Sequence, residues 1–137
     1  MTIQYSAGCR NSKLDAVNTF GTAAGANLTL YSGAQPANCA AANAGTAIVS
    51  INLPNPHWSA AASGAMAKTG VWSAAAGAAA VAAHFRLYNS QATKDGTTCF
   101  MQGSVGQGTG DLSLDNSTIA SGQTVTINTF TINDNNP

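Results

Sequence analysis

The chain has 137 residues, of which five are Lys or Arg and five are Asp, so its formal net charge is zero and only 7% of its residues are charged. This length suits a single domain, residues 1–137, with one core. The balanced, scattered charge excludes nucleic acid as a partner, because phosphate binding needs clustered Lys and Arg. We also expect no membrane span, since no run approaches the roughly 18 apolar residues that it requires.

The scarcity of charge also predicts something about the surface. An ordinary soluble domain has about 25% charged residues, whereas the exterior here must consist mainly of Ala, Gly, Ser, Thr and Asn. A monomer with so little charge repulsion tends to self-associate. We therefore expect other protein to cover much of this surface in the working state.

Residues 1–11 are expected to form an N-terminal arm ahead of the folded domain. They show no basic region followed by an apolar stretch, so we expect no secretion signal. Part of the arm is β-prone and uncharged, which suits it to pairing with a sheet edge of a neighbouring protein. That segment consists of Thr2, Ile3, Gln4 and Tyr5.

A short helix is predicted over residues 12–20. Ser12 can cap it, with Asp15 three residues on in the place of the usual Glu of a capping box. Leu14, Val17 and Phe20 then recur at a spacing of three, which gives one apolar stripe. Glycines follow this stripe and are expected to end the helix.

Beyond the helix, short apolar–polar stretches alternate with turn residues, the pattern of β-strands. The alanine-rich residues 74–83 are equally compatible with a helix, but Gly77 interrupts them, and we favour a loop that leads into a strand. Asp95 and Gly96 are expected to turn the chain between two strands, and residues 103–110 to form a flexible connection. The predicted strands contain Leu28 and Leu30, residues 49–53, 66–72, 78–88 and 97–102, Leu112 and Leu114, and residues 123–132.

The predicted strand 78–88 has two distinct faces. Its apolar face carries Val81, Ala83, Phe85 and Leu87, and we expect the opposite face to be solvated or to contact another protein. The candidate protein-contact residues are therefore His84, Arg86 and Tyr88 on that face, together with Thr2, Ile3, Gln4 and Tyr5 of the arm.

The last predicted strand changes its alternation midway. Val125 and Ile127 are apolar at odd positions, whereas Phe130 and Ile132 are apolar at even ones. A strand with a period of two cannot change parity without an extra residue, so we predict a β-bulge at Asn128–Thr129. Residues 133–137 are expected to fray.

Seven or eight short strands with almost no helix define the predicted fold class. They indicate an antiparallel β-sandwich or jelly roll over residues 12–132, with one short N-terminal helix. Helices do not alternate with the strands, which excludes a parallel α/β sheet.

Acid–base chemistry would fall on His57, His84 and the aspartates, because the chain contains no Glu. His57 is expected to pack against Trp58, and no serine stands in a GxSxG elbow. Asp111 and Asp115 fit strand-end and turn positions better than a glycosidase pair. We therefore predict no enzymatic activity, no catalytic residue and no cofactor.

Three cysteines, Cys9, Cys39 and Cys99, are widely spaced along the chain. They form no CxxC pair and no zinc-binding spacing, so we predict no metal site. One disulfide is possible, but we expect three reduced thiols, as in a protein made in a cytoplasm.

Four stretches of the chain share a distinctive strand-and-turn pattern: residues 28–38, 80–90, 103–115 and 122–132. Together they resemble the capsid cement (decoration) proteins of tailed phages, most closely those of Bordetella-type phages. The resemblance covers most of residues 12–132 and concerns strand and turn patterns, with no chemical signature among them.

The resemblance implies a jelly-roll-like virion subunit on the exterior of an icosahedral capsid, made in the cytoplasm of the host bacterium. Such a subunit bridges neighbouring major capsid proteins and stabilises the shell, and it has no catalytic residues to match. Its partners are then the phage major capsid protein and further copies of itself. We expect a homodimer, with a trimer as the alternative.

Two other classes of function remain open at the level of sequence. A carbohydrate- or receptor-binding β-sandwich needs exposed aromatic side chains, so it would be favoured if Trp58 or Trp72 lay on the surface. A small hydrolase would need His57 or His84 within hydrogen-bond reach of both a Ser and an Asp.

Overall fold

The computed structural model describes residues 2–22 and 25–135. Met1 of the predicted arm, and Asn136 and Pro137 of the predicted frayed tail, lie outside these described residues. One helix precedes a series of short strands. Their bounds are α1 (Ala7–Thr22), β1 (Asn27–Tyr31), β2 (Ala47–Asn52), β3 (Ala65–Ala67), β4 (Trp72–Ala75), β5 (Ala80–Val81), β6 (His84–Tyr88), β7 (Cys99–Gln107), β8 (Leu112–Leu114), β9 (Thr118–Ile119), β10 (Thr124–Ile127) and β11 (Thr131–Asn133).

Five strands form the main sheet, in the order β2-β1-β6-β7-β8. The other strands pair two by two, as β10 with β4, β11 with β3, and β5 with β9. All of these pairs are antiparallel except β7 with β8. The fold is therefore mostly β, with one helix and sheets that pair mainly antiparallel, which is consistent with the predicted β-sandwich class.

One large apolar core joins the main sheet to the smaller sheets and to α1. At its centre the rings of Trp58, Trp72 and Phe130 contact one another, with centroids 5.1 to 6.1 Å apart. Phe85 of β6 meets the same group, since its ring lies 5.3 Å from that of Phe130 at 82°. Tilted and edge-on contacts of this kind are the geometry that aromatic rings favour.

Helix α1 begins earlier than predicted because Ser6, and not Ser12, caps it. The Ser6 hydroxyl accepts a hydrogen bond from the backbone N–H of Cys9 at 3.2 Å, the usual bond of an N-cap. Ser12 lies inside the helix, where its hydroxyl donates to the Gly8 carbonyl at 3.0 Å. The predicted arm is therefore shorter than residues 1–11, and in the described chain it comprises residues 2–6.

Three of the predicted strands are each divided in two, and the first two of these are 66–72 and 78–88. The predicted strand 66–72 is interrupted at Gly70, whose positive φ of 67° ends the extended conformation between β3 and β4. The predicted strand 78–88 changes partners at Ala82 and Ala83, whose N–H groups donate to the carbonyls of Ser117 and Tyr31. As a result Val81 is exposed and Ala82 is buried, the reverse of the predicted alternation. The alanine-rich stretch contains no helix, as predicted.

The parity change in the last strand is achieved by a break between β10 and β11. β10 pairs with β4, whereas β11 pairs with β3, so the chain leaves one small sheet and enters another. An irregularity near Asn128–Thr129 was the right expectation, but its form is a change of partner and not a β-bulge.

Residues 133 and 134 of the predicted frayed tail have defined partners, since Asn133 pairs with Ala65 of β3 and Asp134 contacts α1. The Asp134 carboxylate forms an ion pair with Lys13 at 2.7 Å, and its backbone N–H donates to Gly64 at 2.8 Å. The Asp134 carbonyl also accepts a bond from the Arg10 guanidinium at 3.2 Å. The expectation of fraying is therefore wrong at Asp134, because this residue connects the end of the sheet to α1.

The predicted flexible connection 103–110 is largely strand, since β7 extends to Gln107. The chain then returns so tightly that β8 lies parallel to the end of β7. The Asp111 carboxylate closes this return by accepting hydrogen bonds from the N–H and the hydroxyl of Ser104, both at 2.8 Å. These bonds lower the pKa of Asp111. Asp111 thus has the turn role expected for it.

Candidate functional site

The two central strands of the main sheet, β1 and β6, are buried on both faces. Leu28 and Leu30 of β1 and Phe85 and Leu87 of β6 lie in the apolar core. The opposite face is polar and is hereafter called the polar face. It consists of Asn27, Thr29 and Tyr31 from β1, and His84, Arg86 and Tyr88 from β6.

The polar face is covered by residues 32–46, the connection between β1 and β2, here called the covering loop. Arg86 is the main link between the two, because its Nη2 donates to the carbonyl oxygens of Asn38 at 3.1 Å and of Ala41 at 2.8 Å. Its Nε donates to Oε1 of Gln102, on β7, at 3.1 Å. A buried guanidinium thus holds the middle of the covering loop against the sheet.

Two further hydrogen bonds fix the first part of the covering loop. The Gln102 side-chain amide donates to the Pro36 carbonyl at 2.7 Å. Nδ1 of His84 lies 3.1 Å from the Gly33 carbonyl, and that contact requires the Nδ1–H tautomer. The His84 ring also stacks on Tyr31, with centroids 5.4 Å apart and planes at 13°.

The polar face and the neighbouring strand β7 contain hydroxyl and thiol groups whose charged forms are disfavoured. The hydroxyls of Tyr31 and Tyr88 share a hydrogen bond of 2.7 Å. Burial, and then this bond, raise the pKa of Tyr88. Burial and a contact with the Cys39 thiol raise the pKa of Cys99 to about 12. Burial lowers the pKa of His84, and the Arg86 cation acts in the same direction.

His84, Arg86 and Tyr88 are therefore not on a solvated face, as the strand pattern led us to expect. Their exposed fractions are 0%, 1% and 0%. Alternation along β6 correctly predicts that the three side chains share one side of the strand, but it does not show what covers that side. As placed in the structure, they face the covering loop of their own chain and present no surface to a partner.

The other predicted contact residues, Thr2, Ile3, Gln4 and Tyr5, are all exposed. They precede α1 without helix or strand structure, and the Ile3 side chain is 73% exposed. The Tyr5 ring lies 4.2 Å below the Lys13 ammonium, which connects this segment to the helix. That these residues contact another protein stays a prediction.

An apolar groove runs between α1 and β7. It is lined by Ala16, Val17 and Phe20 of the helix and by Phe100 of the strand, and its volume is about 430 Å³. The rings of Phe20 and Phe100 meet edge-on, 6.1 Å apart. Phe20 nevertheless stays 56% exposed, so the predicted helix stripe is only partly covered by the core.

Neither histidine has the surroundings of a catalytic base. His57 is fully buried beside Trp58, with ring centroids 5.7 Å apart, which confirms its predicted packing. Its ring nitrogens have no hydrogen-bond partner among the described residues, and burial lowers its pKa. His84 bonds only to a backbone carbonyl. Within the described chain, neither ring contacts both a Ser and an Asp.

The remaining reactive groups are dispersed. The three cysteines are unpaired. In the parts of the chain that the structure describes, no cluster of three or more His, Cys, Asp or Glu side chains could hold a metal ion. Residues 2–22 and 25–135 also contain no helix with the length and apolar character needed to cross a membrane.

Comparisons of this chain with protein-family models, curated proteins and solved structures found no match.

Sequence reasoning missed two features of these surfaces. It did not identify the exposed apolar side chains of Val71 and Val81, which are 77% and 56% exposed, because their neighbours suggested strand interiors. It also missed the partnership of Gln102 with Arg86. Polar residues alternate with apolar ones in β1 and β6, and turn-rich stretches follow both strands. This pattern could have indicated that a loop covers the polar face.

Proposed function

We propose that this chain is a structural virion protein that binds the outside of an icosahedral phage capsid and bridges neighbouring major capsid proteins. The finer description of the β-sandwich as a jelly roll belongs to the same proposal. So does assembly on the capsid as a homodimer, with a trimer as the alternative. The starting point is the resemblance of residues 12–132 to phage cement proteins.

The observation that carries the proposal is a set of exposed large apolar side chains on a chain with little charge. Large side chains exposed by about half or more are Ile3, Tyr5, Phe20, Val71 and Val81. Only ten of the 137 residues carry a full charge. Apolar side chains with so few charges around them suit contact with another protein better than contact with water.

Two regions are suited to such contact. The segment before α1, residues 2–6, is exposed and contains no charged residue, which suits it to contact with a neighbouring protein. The apolar groove between α1 and β7 leaves Phe20 available as an anchor. Cement must bind many equivalent sites on an assembled shell without any chemistry, and it stabilises the shell by binding the assembled state.

The structure weighs against the alternative of a carbohydrate- or receptor-binding module. Stacking on a sugar requires an accessible aromatic face, but Trp58 and Trp72 are only 1% and 0% exposed. Both rings are in the apolar core, so neither can form a binding platform.

The proposal is tested by the binding of the purified chain to capsid shells assembled without it. We expect co-sedimentation that saturates at a fixed number of copies per shell. Ile3→Lys and Phe20→Lys should weaken this binding about tenfold, because an interface anchor contributes more than about 1 kcal/mol. Thermal unfolding of both variants should be unchanged, since these side chains are largely exposed.

Ser121→Lys is the matched control, because it adds the same charge at an exposed turn residue. It should leave binding intact. Absence of saturable binding to shells, with the chain folded, would contradict the proposed function.

A further inference from the structure

Arg86 is a buried cation without a carboxylate partner. Its side chain is 1% exposed, and its hydrogen bonds go to two backbone carbonyls, the neutral Gln102 amide and the neutral Tyr88 hydroxyl. The only ion pair among the described residues joins Lys13 to Asp134. Carbonyl dipoles satisfy the N–H donors of a guanidinium but leave its net charge uncompensated, and that charge is costly to bury alone.

All five aspartates are placed elsewhere or are already engaged. Asp95 accepts hydrogen bonds from the N–H groups of Thr97 and Thr98 within its own turn. The other four aspartates bond to groups away from Arg86. The other pairings are Asp15 with the Ala61 N–H, Asp111 with Ser104, Asp115 with the Asn128 amide, and Asp134 with Lys13.

The groups that bond to Arg86 are neutral. Its positive charge acts on His84, Tyr88 and Cys99, where it favours the neutral imidazole and opposes the raised pKa of the hydroxyl and the thiol. Burial keeps the hydroxyl and the thiol protonated at neutral pH despite that charge. No neighbour therefore supplies the negative charge that the guanidinium attracts.

A pocket of about 370 Å³ lies over this cation, between the covering loop and the turn at residues 94–96. The buried side chains of Arg86, Tyr31 and Tyr88 form its inner wall, and Ala42 and Lys94 line it near the surface. The Arg86 guanidinium also bonds the Tyr88 hydroxyl, which in turn shares a hydrogen bond with the Tyr31 hydroxyl. The inner wall of the pocket thus combines a guanidinium with phenol hydroxyls. Lys94 lines the outer part of the pocket, and its ammonium donates to the Gln91 carbonyl at 2.8 Å.

We propose that this pocket binds a small oxyanion, a carboxylate or a phosphate, with the Arg86 guanidinium as its main partner and the positive charge of Lys94 in the outer lining as a second attraction. Guanidinium binds the oxygens of both anions through charge-assisted hydrogen bonds. Asp95 also lines the pocket, but its carboxylate oxygen Oδ1 is engaged by the turn. This site is independent of the proposed role on a capsid.

The chain contains only two arginines, Arg10 and Arg86, which gives a direct test. A ¹⁵N–¹H spectrum of the full chain shows one Nε–H signal from each, and Arg10→Lys assigns them. At pH 7 and constant ionic strength, sodium phosphate or sodium acetate replaces sodium chloride in steps. We expect the Arg86 signal to shift and saturate, while the Arg10 signal stays in place.

The two anions distinguish the source of the oxyanion. A response to phosphate alone assigns the site to phosphate groups, a response to acetate alone assigns it to carboxylates, and a response to both supports a general oxyanion site. The proposal would be overturned if sodium chloride shifted the Arg86 Nε–H signal as much as sodium phosphate and sodium acetate do.

Three variants locate the ion without disturbing Arg86. Lys94→Gln removes the charge in the outer lining and should raise the half-saturating concentration roughly two- to fivefold, the effect of one partly exposed charge. Ala42→Glu places a carboxylate in the pocket and should abolish the saturable shift, whereas the matched Ala42→Gln should retain it. Unchanged titrations in both Lys94→Gln and Ala42→Glu would show that the ion binds elsewhere and would refute the site.

Discussion

His57 is fully buried between two tryptophans, and neither ring nitrogen has a hydrogen-bond partner in the described part of the chain. A buried polar ring without partners contributes apolar contacts, and its unsatisfied nitrogens cost desolvation free energy. Protonation would put an unpaired cation in the aromatic core, and for this reason burial lowers the pKa of His57. The environment of His57 therefore suits a neutral packed ring and disfavours proton transfer.

His57→Leu should reduce the sensitivity of the fold to mild acid. The unfolded histidine has a pKa near 6.5, and the folded one is lower, so the neutral ring stabilises the fold above pH 6.5. That contribution is lost as the pH falls from about 6.5 through the folded pKa. We expect urea unfolding of His57→Leu to lose less free energy between pH 7 and pH 5 than the unsubstituted chain.

The other histidine provides the contrast for this measurement. His84→Leu removes the hydrogen bond to the Gly33 carbonyl and should cost about 1–3 kcal/mol already at pH 7. His57→Leu changes volume little and should cost less than about 1.5 kcal/mol there. Equal pH dependence in His57→Leu and the unsubstituted chain would show that His57 is not held neutral by burial.

At the scale of the element, α1 shows how one serine decides where a helix starts. Two serines, Ser6 and Ser12, lie near its beginning, and only Ser6 accepts a bond from a backbone N–H of the first turn. The capping pattern in the sequence pointed to Ser12, because the apolar stripe starts just after it. The helical residues before Ser12 carry no apolar stripe. In the sequence, only the capping residue Ser6 indicates that the helix begins there.

Ser6→Ala should destabilise the chain by about 1 kcal/mol, the usual cost of losing an N-cap. Ser12→Ala is the matched control. It removes a hydroxyl from inside the helix, where Ala is the better helix former, and should change stability by less than about 0.5 kcal/mol. Both values come from urea unfolding followed by circular dichroism. A larger loss for Ser12→Ala than for Ser6→Ala would mean that the helix begins at residue 12 after all.

The tight return between β7 and β8 contains two glycines with positive φ, Gly108 and Gly110. Gly110 has a φ of 82°, and a Cβ there would lie 3.0 to 3.2 Å from backbone atoms of residues 104–106. Gly108 has a similar φ of 69°, but no atom lies within 4 Å of the equivalent position. A comparison of substitutions at Gly108 and Gly110 therefore separates the free-energy cost of a positive φ from the cost of steric crowding.

Gly108→Ala should cost about 1–2 kcal/mol, because only the left-handed conformation is penalised. Gly110→Ala should cost roughly 1–3 kcal/mol more, since its methyl group also crowds the β7 backbone. Urea unfolding of the two variants measures the difference directly. Equal costs would indicate that the return relaxes readily and that β8 is not held close to β7.

At the scale of the whole molecule, the sequence predicted a mostly β, largely antiparallel fold with one helix, the region of the hairpin turn between β6 and β7, and the packing of His57 against Trp58. Each of these follows from local patterns, such as alternation in Phe85 and Leu87 or the turn residues Asp95 and Gly96. The covering loop could not be predicted, because its contacts with Arg86 join residues more than 40 positions apart. Alternation shows which residues share a face but not which segment covers it.

The same limit applies to the candidate sites. The exposure of Ile3 and its neighbours agrees with the uncharged segment that the sequence indicated. The pocket over Arg86 has no local sequence signal, because its walls come from the covering loop, β1, β6 and the turn at residues 94–96. Contacts between residues far apart in sequence, and not a local motif, place Arg86 beside the other residues that line the pocket.

The central claim is that this chain stabilises an assembled capsid, and the most direct measurement is the temperature at which phage heads release their DNA. Heads assembled without the chain are compared, by dye fluorescence during heating, with the same heads after the purified chain is added back. We predict that the chain raises the release temperature and that the gain saturates with the number of copies bound. Equal release temperatures with and without bound chain would contradict the claim.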